Sequence, residues 1–205
     1  MFIIPTDCVG GHLYKYLKQP HNHPFFWCVI EPLDMLNLIN NWETLNFNNI
    51  TIELSSKWNE WSTAKNTFDI IIDNSIRVHY VHNKLSMKDN VIRINGGDTY
   101  YRYAYKLTYE NYIRRLQRMR LEKKPTFLIC ENKSFGYTAD TLSKICKSCD
   151  KSITCLTDKR IEHKNNTTLI TIDSKIINTY KPGRTEYICK YLLKTQEFTA
   201  NTANF

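Results

Sequence analysis

Cys8 stands where this sequence could build a reactive thiol. It follows the short apolar run Phe2–Pro5, precedes Gly10 and Gly11, and opens a helical pattern over 11–18 with Leu13, Tyr14 and Leu17 on one side. A thiol at a helix N-terminus has its thiolate stabilised by unpaired backbone N–H groups and the helix dipole. The two glycines would let a substrate carbonyl approach the backbone, and the N–H groups near Gly10 and Gly11 could hold an oxyanion. A cysteine nucleophile also needs a base. His79 and His82 lie on, or at the end of, the second strand of a hairpin. Their spacing of three puts them on opposite strand faces, so only one of them points at a given site. Asn83 and Asn132 are available to hold the imidazole. The same residues also read plainly as a buried cysteine and two ordinary strand histidines.

The other cysteines carry less chemistry. Cys28, Cys130 and Cys189 sit inside apolar patterns and read as small buried hydrophobes. Cys146, Cys149 and Cys155 form C-x2-C-x5-C with His163 further on. A structural zinc site would usually bring a second close pair, which is missing here, so the sequence points to no metal and no cofactor. Seven cysteines, an odd number, with no secretory pattern at the start, read as reduced thiols in a cytoplasmic setting.

The elements that must position these residues can be read from periodicity. FIIP (2–5) is a short strand, 7–11 a turn, and 24–30 a strand or core-lining aromatic run. Pro32 starts a helix over 32–42 with Leu33, Leu36 and Ile39 at apolar spacing. Residues 51–54 form a strand. FDIII (68–72) and IRVHYVH (76–82) flank Asp73-Asn74-Ser75, a hairpin signal. A turn at Gly96-Gly97-Asp98 precedes an amphipathic helix over 109–124, stopped by Pro125. Strands follow at 126–130, 152–157 and 168–172, with helices at 138–147 and 184–194, the last with Tyr187, Ile188, Tyr191 and Leu192 as its apolar stripe. Alternating strands and helices predict one α/β domain over 1–195 with a mixed sheet and flanking helices, and a polar tail over 196–205.

The chain has 205 residues, 42% hydrophobic and 23% charged, enough for a core without disulfides or metals. No apolar run reaches the roughly 18 to 20 residues of a membrane span. The net charge of +8 is local: eight basic and two acidic residues lie between Arg102 and Lys124, and the remainder is nearly balanced. On the 109–124 helix, Arg114, Arg115 and Arg118 surround an apolar face of Tyr109, Tyr112, Ile113, Leu116 and Met119. Arginines suit bidentate contacts to phosphates or carboxylates, the protein's own included. No nucleic-acid-binding module accompanies the basic helix, which argues against nucleic acid as a partner.

The order DCVGGHLYKYL (7–17), HPFFW (23–27), VHYVHN (78–83), YIRRLQRM (112–119) and TFLIC (126–130) is similar to the papain-like cysteine peptidase family of bacteria and viruses. It also resembles a neighbouring family labelled exopolysaccharide biosynthesis protein, whose members open with an Asn-Cys-aromatic-Gly-Gly segment. The resemblance spans about residues 1–160. It implies that Cys8 is the nucleophile, that His82 is the histidine of a His-Asp-Phe segment, and that Arg114, Arg115 and Arg118 belong to an arginine-rich helix. Two acids of the family pattern are replaced, one by Phe26 and one by Asn83.

These readings lead to a thiol-type hydrolase or acyltransferase with papain-related topology. Cys8 would be the nucleophile, His82 or His79 the base, Asn83 or Asn132 the orienting group, and Gly10 and Gly11 the oxyanion donors. The substrate would be a small molecule, peptide or glycan, with the arginines suited to an anionic one. Two rivals stand beside it: a polysaccharide-linked protein binding or transferring a sugar phosphate through Arg114, Arg115 and Arg118, and a non-catalytic binding module.

Overall fold

The backbone of a computed structural model describes residues 2–19, 23–55, 68–80, 109–119, 124–177 and 184–194. Four strands form a parallel sheet: β1 (Ile3–Pro5), β6 (Thr126–Cys130), β7 (Ile153–Thr157) and β8 (Thr167–Thr171), in spatial order β1-β6-β7-β8. Four others form an antiparallel sheet in the order β2-β5-β4-β3: β2 (Cys28–Ile30), β3 (Ile50–Leu54), β4 (Phe68–Ile72) and β5 (Ile76–Tyr80). The α/β class is as expected. The parallel and antiparallel pairings are divided between two sheets rather than mixed within one.

The two sheets differ in how their sequences read because they differ in what covers them. In the parallel sheet Ile3, Leu128, Cys130 and Leu156 face one apolar cluster, while Ile4, Phe127, Ile129, Ile153 and Cys155 face another. Both faces are buried, so the strands are continuous apolar runs. Helices α1 (Val9–Tyr16), α5 (Ser174–Ile177) and α6 (Arg184–Lys194) supply residues to the first cluster. Helices α2 (Pro32–Asn41) and α4 (Ala139–Ser148) supply the second, together with Ile30, Ile70, Ile72, Ile76 and Val78 of the antiparallel sheet. That second sheet buries only alternate residues in this cluster. Its other face carries Glu53, Asp69, Arg77 and His79.

The hairpin between β4 and β5 turns on Asp73 and Asn74, at φ 50° and 55°. The Ser75 N–H donates to the Ile72 carbonyl at 3.0 Å. Two consecutive left-handed residues are what a tight hairpin turn of type I′ requires, and Asp and Asn tolerate them. With Ser75 as the third loop residue, Ile72 faces Ile76, and Asp69 faces His79.

Several helix expectations shift. The segment read as a turn over 7–11 is already helical from Val9, so Gly10 and Gly11 lie inside α1. On α2 the buried residues are Met35, Leu38 and Ile39, and Leu33 is 70% exposed. On α6 the core takes Ile188, Cys189 and Leu192, and Tyr187 is 55% exposed. The basic helix, α3, covers 109–116 and then tightens, with Arg118 N–H bonding Arg115 and Met119 N–H bonding Leu116. It therefore ends before Pro125. The Gly96-Gly97-Asp98 turn and the polar tail over 196–205 lie outside the described residues.

The glycines of α1 serve close packing. A Cβ on Gly10 would lie 2.3 Å from Pro5 Cγ, and one on Gly11 2.7 Å from Trp27 Cδ2. Alanine is ordinarily the better helix former by about 1 kcal/mol. Gly10→Ala is nevertheless expected to destabilise the fold by about 2 kcal/mol, because α1 must lift off the rigid ring of Pro5. Urea unfolding would measure this. An unchanged midpoint would mean that the helix has room to move.

Candidate active site

The residues following β1 and β2 meet at one edge of the two sheets. The Ile30 N–H donates to the Thr6 carbonyl at 3.0 Å, tying the end of β2 to the end of β1. Beyond that bond the chain continues on one side as Asp7 and Cys8, and on the other as Glu31 and α2. Tyr137 donates its hydroxyl to the Ile30 carbonyl at the same place. Burial, then the charges of Asp7, Asp34 and Glu31, pushes that hydroxyl well above its usual value.

Cys8 occupies the N-cap position of α1, without a side-chain capping bond, and is half-buried, whereas the other six cysteines are buried. Burial is the main force on its thiol, and the adjacent Asp7 carboxylate adds to it; both push the thiol upward. At rest Cys8 is therefore a protonated thiol. Asp7 is fixed by the Val9 N–H on Oδ1 at 2.9 Å, and by Asn132 Nδ2 at 3.4 Å and Arg184 Nη1 at 3.6 Å on Oδ2. Asn132 thus engages Asp7. Gly10 and Gly11 pack against Pro5 and Trp27.

His79 is buried on β5, with its Nδ1 2.8 Å from Asp69 Oδ1. That contact makes Nδ1 the protonated nitrogen, donating to the carboxylate. Nε2 lies 3.5 Å from Glu31 Oε1. Arg77 closes the other side of Asp69 at 3.0 Å and reaches Glu53 at 3.1 Å. Burial would raise the Asp69 carboxyl, but the hydrogen bond and charge of His79, with Ser55 and Arg77, outweigh it and hold the group below its ordinary value. Asp34, one turn beyond Glu31, accepts the Arg77 backbone N–H at 2.9 Å. Burial leads there, and that carboxyl lies above its usual range.

The array Glu31–His79–Asp69 was not read from sequence. Its Asp69–His79 half follows from the hairpin: with Ile72 opposite Ile76, counting back three and forward three pairs them. Among the described residues, no hydrogen bond joins Cys8 to His79. His82 and Asn83 lie outside the described residues.

The arginines occupy a different region. Arg115 donates to the Phe26 carbonyl at 2.9 Å and pins α3 to the 24–27 loop. Arg114 bonds the side-chain oxygen of Asn111, and Arg118 is exposed. A cleft of about 410 Å³ opens between residues 45–48 and α3; it takes in Ile113, Leu116 and Met119 but none of the three arginines.

The C-x2-C-x5-C cysteines are buried. The Cys146 and Cys155 thiols interact, which lowers Cys146 and, with burial, raises Cys155. His163 is exposed, its Nδ1 3.0 Å from the Lys164 carbonyl. Among the described residues, no group of three or more His, Cys, Asp or Glu is placed to hold a metal ion, and no helix is long and apolar enough to cross a membrane.

A search of curated proteins finds no match to the chain. One family model does match, over residues 1–124. That stretch takes in Cys8, Glu31, Asp69, His79 and the arginine helix, and leaves out β6, β7, β8 and Arg184. The chain belongs to the family described as a domain of unknown function, DUF1919.

Proposed function

We propose that this chain is a thiol-dependent hydrolase or acyltransferase, with Cys8 as its nucleophile and the Glu31–His79–Asp69 array as acid–base machinery at the same edge. One observation carries the reading: the Ile30–Thr6 hydrogen bond sets the residue pair Asp7-Cys8 beside the start of α2, where Glu31 meets His79. Cys8 follows a parallel strand, at the strand end where α/β sheets present their ligand sites. Glu31 is the exposed end of its array, with a side chain 25% accessible against 2% for His79 and Asp69. A substrate would meet the carboxylate, with the imidazole and second carboxylate fixing it from behind. The resemblance to papain-like peptidases contributes the reaction class.

A panel of activated acyl donors, p-nitrophenyl acetate and a simple acetyl thioester, tests this without a known substrate. Intact-mass measurement should find one acetyl group on Cys8, none in Cys8→Ser, and slower transfer in Glu31→Gln and His79→Gln. No acetylation of Cys8 at any pH would overturn the thiol reading. Wild-type rates in both array variants would remove the array from the reaction.

A second reading, binding or transfer of a sugar phosphate, rests on Arg114 and Arg118. Among the described residues, neither pairs with a carboxylate. Salt-sensitive binding of a nucleotide sugar, lost in Arg114→Gln/Arg118→Gln, would favour it.

A further inference from the structure

We infer that His12 is the group that takes the proton from the Cys8 thiol, and that Trp27 is the residue that positions its ring. This rests on the reading of Cys8 as a nucleophile.

Cys8 and His12 are four residues apart at the start of α1. That spacing stacks side chains on one helix face, with Cβ atoms about 5–6 Å apart. The burial of α1 shows which face this is: Val9, Gly10, Gly11, Leu13 and Tyr14 are buried. Cys8 and His12 are half-buried, and Lys15 and Tyr16 are exposed. Positions 8 and 12 therefore share the half-buried stripe of α1, between its core face and its exposed face.

Trp27 holds the ring. Its indole lies edge-to-face with the His12 imidazole, centroids 4.9 Å apart at 75°. Trp27 has φ 59°, a left-handed conformation that is a true outlier for so bulky a residue. Such strain costs about 1–3 kcal/mol and persists only where the surroundings impose it. Here the indole fills the space over Gly11 that any side chain at that position would need. The glycine at position 11 thus admits the strained Trp27, whose indole packs on the His12 imidazole.

His79 is less suited to this step. It is buried, its Nδ1 is committed to Asp69, and its Nε2 faces Glu31. Around His12 stand Lys15 on α1, Glu186 on α6 and Asp7 ahead of the helix. Burial first, then Lys15, lowers its proton affinity against the opposing pull of the two carboxylates, so the ring is neutral at neutral pH and can accept a proton. Around Cys8 stand Asp7 and Cys28. No hydrogen bond closes between Cys8 and His12 at rest. Catalytic hydrogen bonds often tighten only when substrate is bound.

The step balances as an acyl transfer. The imidazole takes the thiol proton, and sulfur attacks the carbonyl carbon, placing the electron pair on oxygen. The pair returns, the bond to the leaving group breaks, and the imidazolium gives that group its proton. Water, or an acceptor hydroxyl or amine, then attacks the thioester and loses its proton to His12. The sulfur leaves as thiolate and recovers the proton. The Glu31–His79–Asp69 array remains for the substrate or the incoming acceptor.

The test is the rate of Cys8 acetylation by p-nitrophenyl acetate from mildly acidic to alkaline pH, in wild type, His12→Gln, His12→Asn and Trp27→Phe. His12→Gln and His12→Asn should slow acetylation about a hundredfold at neutral pH, the scale of general-base assistance. The deficit should close at alkaline pH, where hydroxide removes the thiol proton. Trp27→Phe should show a smaller loss with the same pH shape. A folding defect would instead slow the reaction at every pH and lower the urea midpoint. Wild-type rates in both His12 variants, with Cys8→Ser still silent, would overturn the role of His12 and leave the nucleophile standing. Absence of any Cys8 acetylation in the wild type would overturn both.

Discussion

Asp69→Ala is expected to destabilise the protein by about 3–5 kcal/mol, the range for removing one partner of a buried ion pair. Asp69 is 2% exposed, in the middle of the antiparallel sheet. It carries two cationic or protonated groups at once, His79 at 2.8 Å and Arg77 at 3.0 Å. Without it, the His79 Nδ1 proton has no acceptor at a site water does not reach, and that orphaned donor sets most of the cost. Arg77 loses less, because its outer end still holds Glu53 at 3.1 Å, where both side chains are well exposed. Asp69→Asn should cost about 1–2 kcal/mol, since the amide oxygen can still accept from Nδ1. The pH dependence has a definite sign. The folded carboxyl is held below its ordinary value. Its contribution is therefore complete above the unfolded carboxylate value of about 3.9 and fades as pH falls through the lower folded value. The gap between wild type and Asp69→Asn should be widest near neutrality and shrink in acid. Urea denaturation across pH measures it. An Asp69→Ala midpoint indistinguishable from wild type would mean that the array contributes no stability.

What could be read from the sequence tracks how local the determining contacts are. The β4–β5 hairpin was legible because its turn residues are adjacent and permit left-handed backbone. β6, β7 and β8 were legible to within a residue because sheets buried on both faces write unbroken apolar runs. The start of α1 is not legible because its glycines resemble a turn; they are glycine because Pro5 and Trp27 pack close against the helix, a contact no window of sequence reports. Spacing puts Leu33 and Tyr187 in apolar stripes, but tertiary packing chooses a neighbouring register and leaves both exposed. In the site the same division holds. Asp69 opposite His79 is local to one hairpin. Glu31 reaches His79 only because β2 lies beside β5, with Val29 opposite His79. That pairing of distant strands has no marker in the chain. Cys8 was singled out for its place before a helix and its glycines. The structure keeps the place and gives the glycines another purpose.

Arg184 is the second large effect. Its guanidinium ties four parts of the chain together with a side chain only 12% exposed. Nε donates to the Ile177 carbonyl at 2.9 Å, Nη2 to the Glu131 carbonyl at 2.6 Å, and Nη1 lies 3.6 Å from Asp7 Oδ2. Arg184→Met keeps most of the apolar stem and removes the charge. It should destabilise the fold by about 3 kcal/mol, because it leaves the Asp7 carboxylate and two carbonyls without that donor. The Val9 and Asn132 donors that remain on Asp7 keep the loss from growing larger. If the ion pair carries the effect, Asp7→Asn/Arg184→Met should recover at least about 1 kcal/mol over the sum of the single losses. Additive losses would show instead that Arg184 acts through its carbonyl bonds. The variant also reports on the chemistry. Asp7 already pushes the Cys8 thiol upward, and Arg184→Met removes the guanidinium that stands against that carboxylate. Acetylation of Cys8 should slow in Arg184→Met at a pH where the protein is fully folded, and return when Asp7→Asn is added. A thiol whose reactivity ignored both changes would place Cys8 beyond the reach of the charge beside it.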